Sequence, residues 1–240
     1  MVTKMYQVST LQALTQGDFY GNATIGDLLE KGDTGLGTFK DVDGEMIVLD
    51  GKCYRAKADG TVELAKATDS TPFASVTFLN KSIAFNINEE QSMADVLVHL
   101  DEKVQAAGEN NIYACRIDAS FSEVYARSEM KQQEPYKTFA KVLETDQREF
   151  KFKDVSGSLV CVYFPKYMDG LNLAGWHVHF ISDDRTMGGH VFNFTLKEGR
   201  VYLGATSGFT FMIPKTDYFQ KLKLTDVSKE EIESVEKAAE

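Results

Sequence analysis

The chain of 240 residues is poor in basic charge, in cysteine and in histidine, and it has no long apolar run. Lysine and arginine number 26 against 36 acidic residues, giving a net charge of -10 and a pI near 5.0. That balance argues against a nucleic-acid partner, since phosphate binding needs clustered Lys and Arg. It also disfavours an anionic membrane surface. No hydrophobic stretch approaches the length of a membrane span. The start, Met1-Val2-Thr3-Lys4-Met5-Tyr6, lacks the apolar core of a signal peptide. The cysteines, Cys53, Cys115 and Cys161, are odd in number, far apart, and form no C-x-x-C. They read as reduced, small core residues, with cytoplasm as the expected compartment. Hydrophobic content of 43% with 26% charged residues suits a soluble globular chain that can bury a substantial core.

Turn chemistry organises the N-terminal half. Thr24-Ile25-Gly26-Asp27 reads as a helix start with Asp27 in the acidic position of a capping box, and Gly32 can stop that helix. Asp43-Gly44, Asp50-Gly51 and Asp59-Gly60 then separate strand-like runs at 45–49, 53–57 and 61–66. Asp-Gly is a strong hairpin signal, so an antiparallel meander is expected. Further strands are expected at 73–79 and 83–87. Met93, Val96, Leu97, Leu100 and Val104 form an apolar stripe at helical spacing, ending near Gly108. His99, at the edge of that stripe, reads as structural. Residues 113–117 and 121–127 read as a strand pair, 128–135 as a polar connection, and 158–164, 200–203 and 209–213 as strands. A final helix follows the capping box Ser228-Lys229-Glu230-Glu231, with Ile232, Val235 and Ala239 inward. Many strands, few helices and dominant hairpins define an α+β fold of mixed and antiparallel sheets. The expected division is a β-rich α+β part at 1–140 and a C-terminal β part at 141–240, closely packed enough to count as one domain.

Three of the four histidines, His177, His179 and His190, fall within one short run. On a strand, His177 and His179 point the same way. Gly188-Gly189 supplies a turn, and pairing Ile181 with His190 would bring the third imidazole to the same face, diagonal to His179. Three neutral imidazoles with an open fourth position suit a catalytic zinc ion. The bland alternative is a polar strand face of hydrogen-bonded histidines.

Histidines alone do not choose a reaction. Candidate acids, bases and cations are Glu45, Arg127, Asp183, Asp184, Arg185 and the glutamates of the final helix. Glu236 falls on the apolar side of that helix, four residues after Ile232. A carboxylate there wants a metal, an arginine or a proton, unless it merely reaches solvent at the margin of the stripe. Glu45 directly follows a turn, where charge is usually solvated. Asp183, Asp184 and Arg185 read as loop-tip residues that satisfy one another.

Several segments, in order, resemble the α-acetolactate decarboxylase family. They are Gly35-Leu36-Gly37-Thr38-Phe39 with Asp43-Gly44-Glu45, Tyr54 to Gly60, Thr71-Pro72-Phe73-Ala74, Arg116-Ile117-Asp118, the stretch Gly170 to His190, and the closing Ile232-Glu233-Ser234-Val235-Glu236. The resemblance implies zinc held by His177, His179 and His190, with Glu236 as a carboxylate brought to the metal. It further implies Glu45 as the second active-site carboxylate, Arg127 as the cation facing the substrate, and Thr38 in the substrate pocket. The implied activity is decarboxylation of 2-acetolactate to acetoin, and the implied assembly a homodimer. One departure stands out: where the family often reads T-R-T-V-P-R-Q, this chain has Ala126-Arg127-Ser128-Glu129-Met130-Lys131-Gln132. Arg127 is kept, the proline is lost, and the second arginine is Lys131. Two rivals remain: a cupin-like metal oxygenase, whose spacing of ligands fits poorly, and a binding module with a structural metal.

Overall fold

The computed structural model describes residues 3–226, so the closing helix expected after Ser228, with Glu236, lies outside the described residues. In chain order the elements are β1 (Met5–Val8), α1 (Leu11–Thr15), β2 (Ala23–Thr24), α2 (Ile25–Leu29), β3 (Thr34–Thr38), β4 (Glu45–Leu49), β5 (Lys52–Ala56), β6 (Val62–Leu64), β7 (Ser70–Thr71) and β8 (Ala74–Thr77). There follow β9 (Ile83–Ile87), β10 (Gln91–Ser92), α3 (Met93–Ala107), β11 (Tyr113–Glu129), α4 (Phe139–Thr145), β12 (Gln147–Phe164), β13 (Gly175–Ser182), β14 (Gly188–Ala205), β15 (Phe209–Met212) and α5 (Asp217–Lys221).

Two sheets carry the fold, which is α+β as expected. The first has seven strands in the order β15-β1-β8-β3-β4-β5-β6, and only β1 and β15 run parallel. In the second, β11 pairs β12 and β14, β12 pairs β13, and β13 pairs β14 again, so four strands close on themselves. The Asp-Gly turns behave as their chemistry requires: Gly44, Gly51 and Gly60 all take positive φ, which costs glycine nothing. Ser92 and Asp95 form a full capping box on α3, whose Val96, Leu100 and Val104 pack onto the second sheet.

The period-two alternation sorts side chains between layers. In β4, Met46 and Val48 face α2, whereas Ile47 and Leu49 pack with Val160 and Ile181 between the sheets. In β13, Val178 and Phe180 enter the core under α3, leaving Ile181 and the histidines on the inter-sheet side. β3 can lie close to β8 because Gly37 has no side chain; a Cβ there would stand 2.3 Å from the Phe73 carbonyl oxygen.

Several expectations are corrected. The strand pair expected at 113–117 and 121–127 is one strand, β11, interrupted by irregular pairing between Ser120 and Glu123 in which Ser122 is the extra residue. Before the bulge Cys115 and Ile117 enter the core under α3; after it Val124 and Ala126 do so. The bulge therefore reverses the alternation and turns Arg127 and Glu129 to the other face. Short polar residues at Asp118 to Ser120 mimic a turn, which is why the sequence reads as two strands. The strands expected at 158–164 and 200–203 are the ends of β12 and β14, and α1 and α4 carried no legible signal. Gly188-Gly189 is not the turn. The chain reverses between Ser182 and Met187, with Arg185 at positive φ, and both glycines already lie in β14. The register consequently pairs His190 with His179, and Ile181 with Gly188. This is a shift of two from the expected pairing, so the face is preserved.

Candidate metal centre and active site

One row across the second sheet carries the site: His179 on β13 pairs with His190 on β14, which pairs on its other side with Arg127 on β11. Directly opposed residues share a face, so these three side chains stand together. His177 lies one period along β13. A second row crosses the first sheet, where Thr38 on β3 opposes Glu45 on β4. β4 packs against β13 and β14, so the two rows face each other. All six side chains are buried, Glu45 at 5% exposure and Arg127 at 2%. The placement of Glu45 overturns the reading of a solvated turn residue. It begins a strand whose odd positions all face inward.

Close approach of the strands depends on Gly189. A Cβ there would stand 2.4 Å from the Arg127 carbonyl oxygen, so only glycine lets β14 come against β11 beside His190.

The imidazoles converge. His177 Nε2 is 3.1 Å from both His179 Nε2 and His190 Nδ1, and the ligand atoms of all three lie within 4.8 Å of one another. His179 Nδ1 donates to the Met46 carbonyl at 2.8 Å, which assigns its proton and leaves Nε2 as a lone pair aimed at the cluster. Burial lowers the His179 pKa to about 3, helped by the Arg127 charge and opposed by the Met46 hydrogen bond. Burial, then His179 and Arg127, hold His177 well below its ordinary 6.5. Both imidazoles are therefore neutral at pH 7 and carry lone pairs.

A metal ion fits this donor set. One proton on His177 Nε2 cannot serve two neighbouring nitrogens, whereas one cation can accept lone pairs from all three. Nitrogens about 2.0–2.1 Å from a tetrahedral zinc stand about 3.3 Å apart, close to the observed spacing. Glu45 Oε2 lies 3.4 Å from His179 Nε2, placing a carboxylate at the cluster's edge.

Arg127 is fixed by its surroundings. Its guanidinium lies over the Phe192 ring, 5.0 Å from the centroid, and its Nε is 3.1 Å from Glu129 Oε1. Arg127, Glu45 and Thr38 share a small cavity with His177 and His190, walled by Leu14, Phe73 and Phe139. Thr38 Oγ1 donates to the Gly44 carbonyl at 2.9 Å, so its oxygen faces the cavity as an acceptor. A larger cavity of about 580 Å³ reaches His177 and His190 from the other side, past Trp176 and Phe192.

The other candidates lie elsewhere. Asp184 and Arg185 do not pair; each bonds to Ser182 in the β13–β14 turn. Asp183 lies in the same turn, where its backbone N–H donates to the Ser156 carbonyl. Lys131 is exposed and pairs with Asp41 at 3.3 Å, away from the imidazoles. His99 is on α3 and lines a separate surface cleft. The sequence missed Glu129, Phe192 and the apolar wall. For Glu129 a signal existed, because carrying the strand two residues past Arg127 puts it on the same face.

Fold and site together define the class: an α+β enzyme fold with a buried three-imidazole group able to hold a metal, bordered by a carboxylate and a guanidinium. Residues 5–226 match the model of the family Alpha-acetolactate decarboxylase. The chain belongs to the alpha-acetolactate decarboxylase family, whose members are carboxy-lyases. It is 37% identical over 233 residues to the alpha-acetolactate decarboxylase of Methanosarcina mazei, covering 97% of this chain and 80% of that one. With the Klebsiella aerogenes alpha-acetolactate decarboxylase it shares 36% identity, over 92% of this chain and 84% of the relative. The crystal structure of alpha-acetolactate decarboxylase from Bacillus subtilis strain 168 is similar at a TM-score of 0.94 and 32% identity, covering 98% of this chain and all of the other (100%).

Proposed function

We propose that this chain catalyses the zinc-dependent decarboxylation of 2-acetolactate to acetoin and carbon dioxide, as a cytoplasmic homodimer. The observation that carries this reading is the opposition of two rows: Glu45 and Thr38 from one sheet, and His179, His190 and Arg127 from the other, around a shared cavity. The substrate named for the family fits that cavity's chemistry, since an anionic α-hydroxy ketone needs a cation, polar acceptors and an apolar wall.

The substrate is a β-keto acid. Loss of carbon dioxide leaves an electron pair on the carbon that bore the carboxylate, and the adjacent ketone takes it up as an enolate. Zinc bound at His177, His179 and His190 would supply Lewis-acid stabilisation of the keto and hydroxyl oxygens. Arg127 orients the substrate carboxylate through its guanidinium. Thr38 accepts a hydrogen bond from the substrate hydroxyl, and Leu14, Phe73 and Phe139 pack its methyl groups and exclude water. Glu45 then delivers a proton to one face of the carbanionic carbon, which makes the acetoin chiral. Glu236 would serve as a further carboxylate for that metal.

The test is acetoin formation from racemic 2-acetolactate, before chelation, after it, and after zinc is restored. Chelator-sensitive, zinc-restorable release of acetoin is expected. Folded, metal-loaded protein that releases none would refute the reading.

A further inference from the structure

Phe192 takes no part in the reaction above, yet its ring touches both sides of the site. The Arg127 guanidinium lies 5.0 Å from its centroid and the His190 ring 5.6 Å, the two rings standing edge to face at 76°. A local irregularity puts it there. On β14 the pairing with β11 shifts, with Val191 opposite Ala126 and Asn193 opposite Tyr125, so Phe192 is an extra residue with no Cα partner on β11. Val191 and Phe194 both enter the core under α3, three apart, as an extra residue between them requires. Such a bulge re-aims a side chain, here onto a guanidinium of the neighbouring strand. The ring also stands between two environments. It lines the large cavity of about 580 Å³, whereas Arg127 lines the small one beside Glu45 and Thr38. Phe192 is half-buried and Arg127 is buried, so the charge lies behind the ring.

We propose that Phe192 is a positioning residue whose ring shuts the large cavity off from the Arg127 guanidinium and fixes that group beside His190. The inference rests on the decarboxylase reading of the site, in which Arg127 orients the substrate carboxylate. Two physical effects act together. The negative face of the ring attracts the cation, most strongly where water is excluded, and so limits the orientations the guanidinium can take. The same ring keeps water and salt ions of the large cavity off the charge, so its pull on an anion is felt through a medium of low dielectric and is little screened. Its edge-to-face contact with His190 ties the cation to the strand that carries one of the three imidazoles. This brace acts alongside the carboxylate contacts of Arg127, such as Glu129 at 3.1 Å.

The experiment compares wild type with Phe192→Ala, which opens the partition, and with Phe192→Tyr, which keeps the ring. The quantities read are KM and kcat on 2-acetolactate, and the affinity, by calorimetry, for 2-hydroxy-2-methylbutanoate. That compound keeps the carboxylate and hydroxyl but lacks the ketone, so it binds without reacting. Affinity is measured at about 0.01 M and about 0.15 M salt, between which the screening length falls from about 30 Å to about 8 Å. In Phe192→Ala the analogue dissociation constant and KM should each rise about 10-fold, the size of a desolvated cation–π contact. The loss should deepen with salt beyond the wild-type response, and Phe192→Tyr should restore both affinity and salt response. In an Arg127→Met background Phe192→Ala should weaken the analogue no further. Weaker binding without the added salt response, or a further loss in that background, overturns the proposal. So does a lower melting temperature with wild-type affinity, the mark of a purely structural ring. Should Phe192→Ala be insoluble, Phe192→Val, which suits a strand, repeats the comparison. Active wild type with an unchanged Phe192→Ala removes only this inference. Wild type that neither releases acetoin nor binds the analogue overturns the decarboxylase reading and this inference with it.

Discussion

Glu45 Oε2 lies 3.4 Å from His179 Nε2, although the two residues sit on strands of different sheets. The same β4 segment accepts the His179 Nδ1 proton at the Met46 carbonyl. The first sheet thus sets both the tautomer of an imidazole on the second and the carboxylate beside it. On the proposed function, anything that separates the sheets should disturb metal binding and proton delivery together.

On the proposed function, Glu45→Gln removes the acid and leaves the three imidazoles. Zinc content should stay at the wild-type level while kcat falls about 10²–10⁴-fold, the usual contribution of a positioned acid. His179→Ala should lose both zinc and turnover. Metal analysis with steady-state kinetics checks the pair, and wild-type kcat in Glu45→Gln would remove its proton role.

Gly189→Ala tests the approach of β14 to β11. Its Cβ would meet the Arg127 carbonyl oxygen at 2.4 Å, so the strands must part beside His190. A stability loss of about 1–3 kcal/mol is expected, as for other overpacked sites. Zinc affinity should weaken too, because His190 moves with its strand. Denaturant melts and zinc titration read the two effects, and an unchanged zinc affinity would show that the site tolerates the separation.

Asp18 supplies a pH dependence away from the three imidazoles. It is buried, and desolvation raises its pKa from 3.8 to about 6. The Tyr20 backbone N–H and the Asn22 side chain lower it somewhat, but neither oxygen has a hydrogen bond of normal geometry. The folded chain therefore holds this proton more tightly than the unfolded one. Above pH 6 the ionised group destabilises the fold, and protonation relieves that penalty as pH falls from 6 toward 4. Asp18→Asn should stabilise the protein at pH 7 by up to about 3 kcal/mol and by little at pH 4. Chemical denaturation at the two pH values decides it; equal gains at both would mean the carboxylate is not the cause.

Truncation after Ser228 removes Glu236, which lies outside the described residues. On the proposed function it should lower zinc retention or kcat without unfolding the two sheets. Full activity with full zinc content would take Glu236 out of the site.

Local chemistry in the sequence determined a good deal. The Asp-Gly turns set the β3–β6 meander, Ser92 and Asp95 start α3, and the two-residue spacing of His177 and His179 places both on one face. These signals act over a few residues, through backbone conformation and side-chain direction, so they are legible without the fold. Only the tertiary structure decided the rest. The bulge in β11 reverses which residues face the site, and the reversal at 183–187, rather than Gly188-Gly189, sets His190 beside His179. Burial of Glu45 and Glu129 depends on a second layer that the local sequence does not announce. Register, phase and burial come from strands paired across long separations, where side-chain packing overrides local preference.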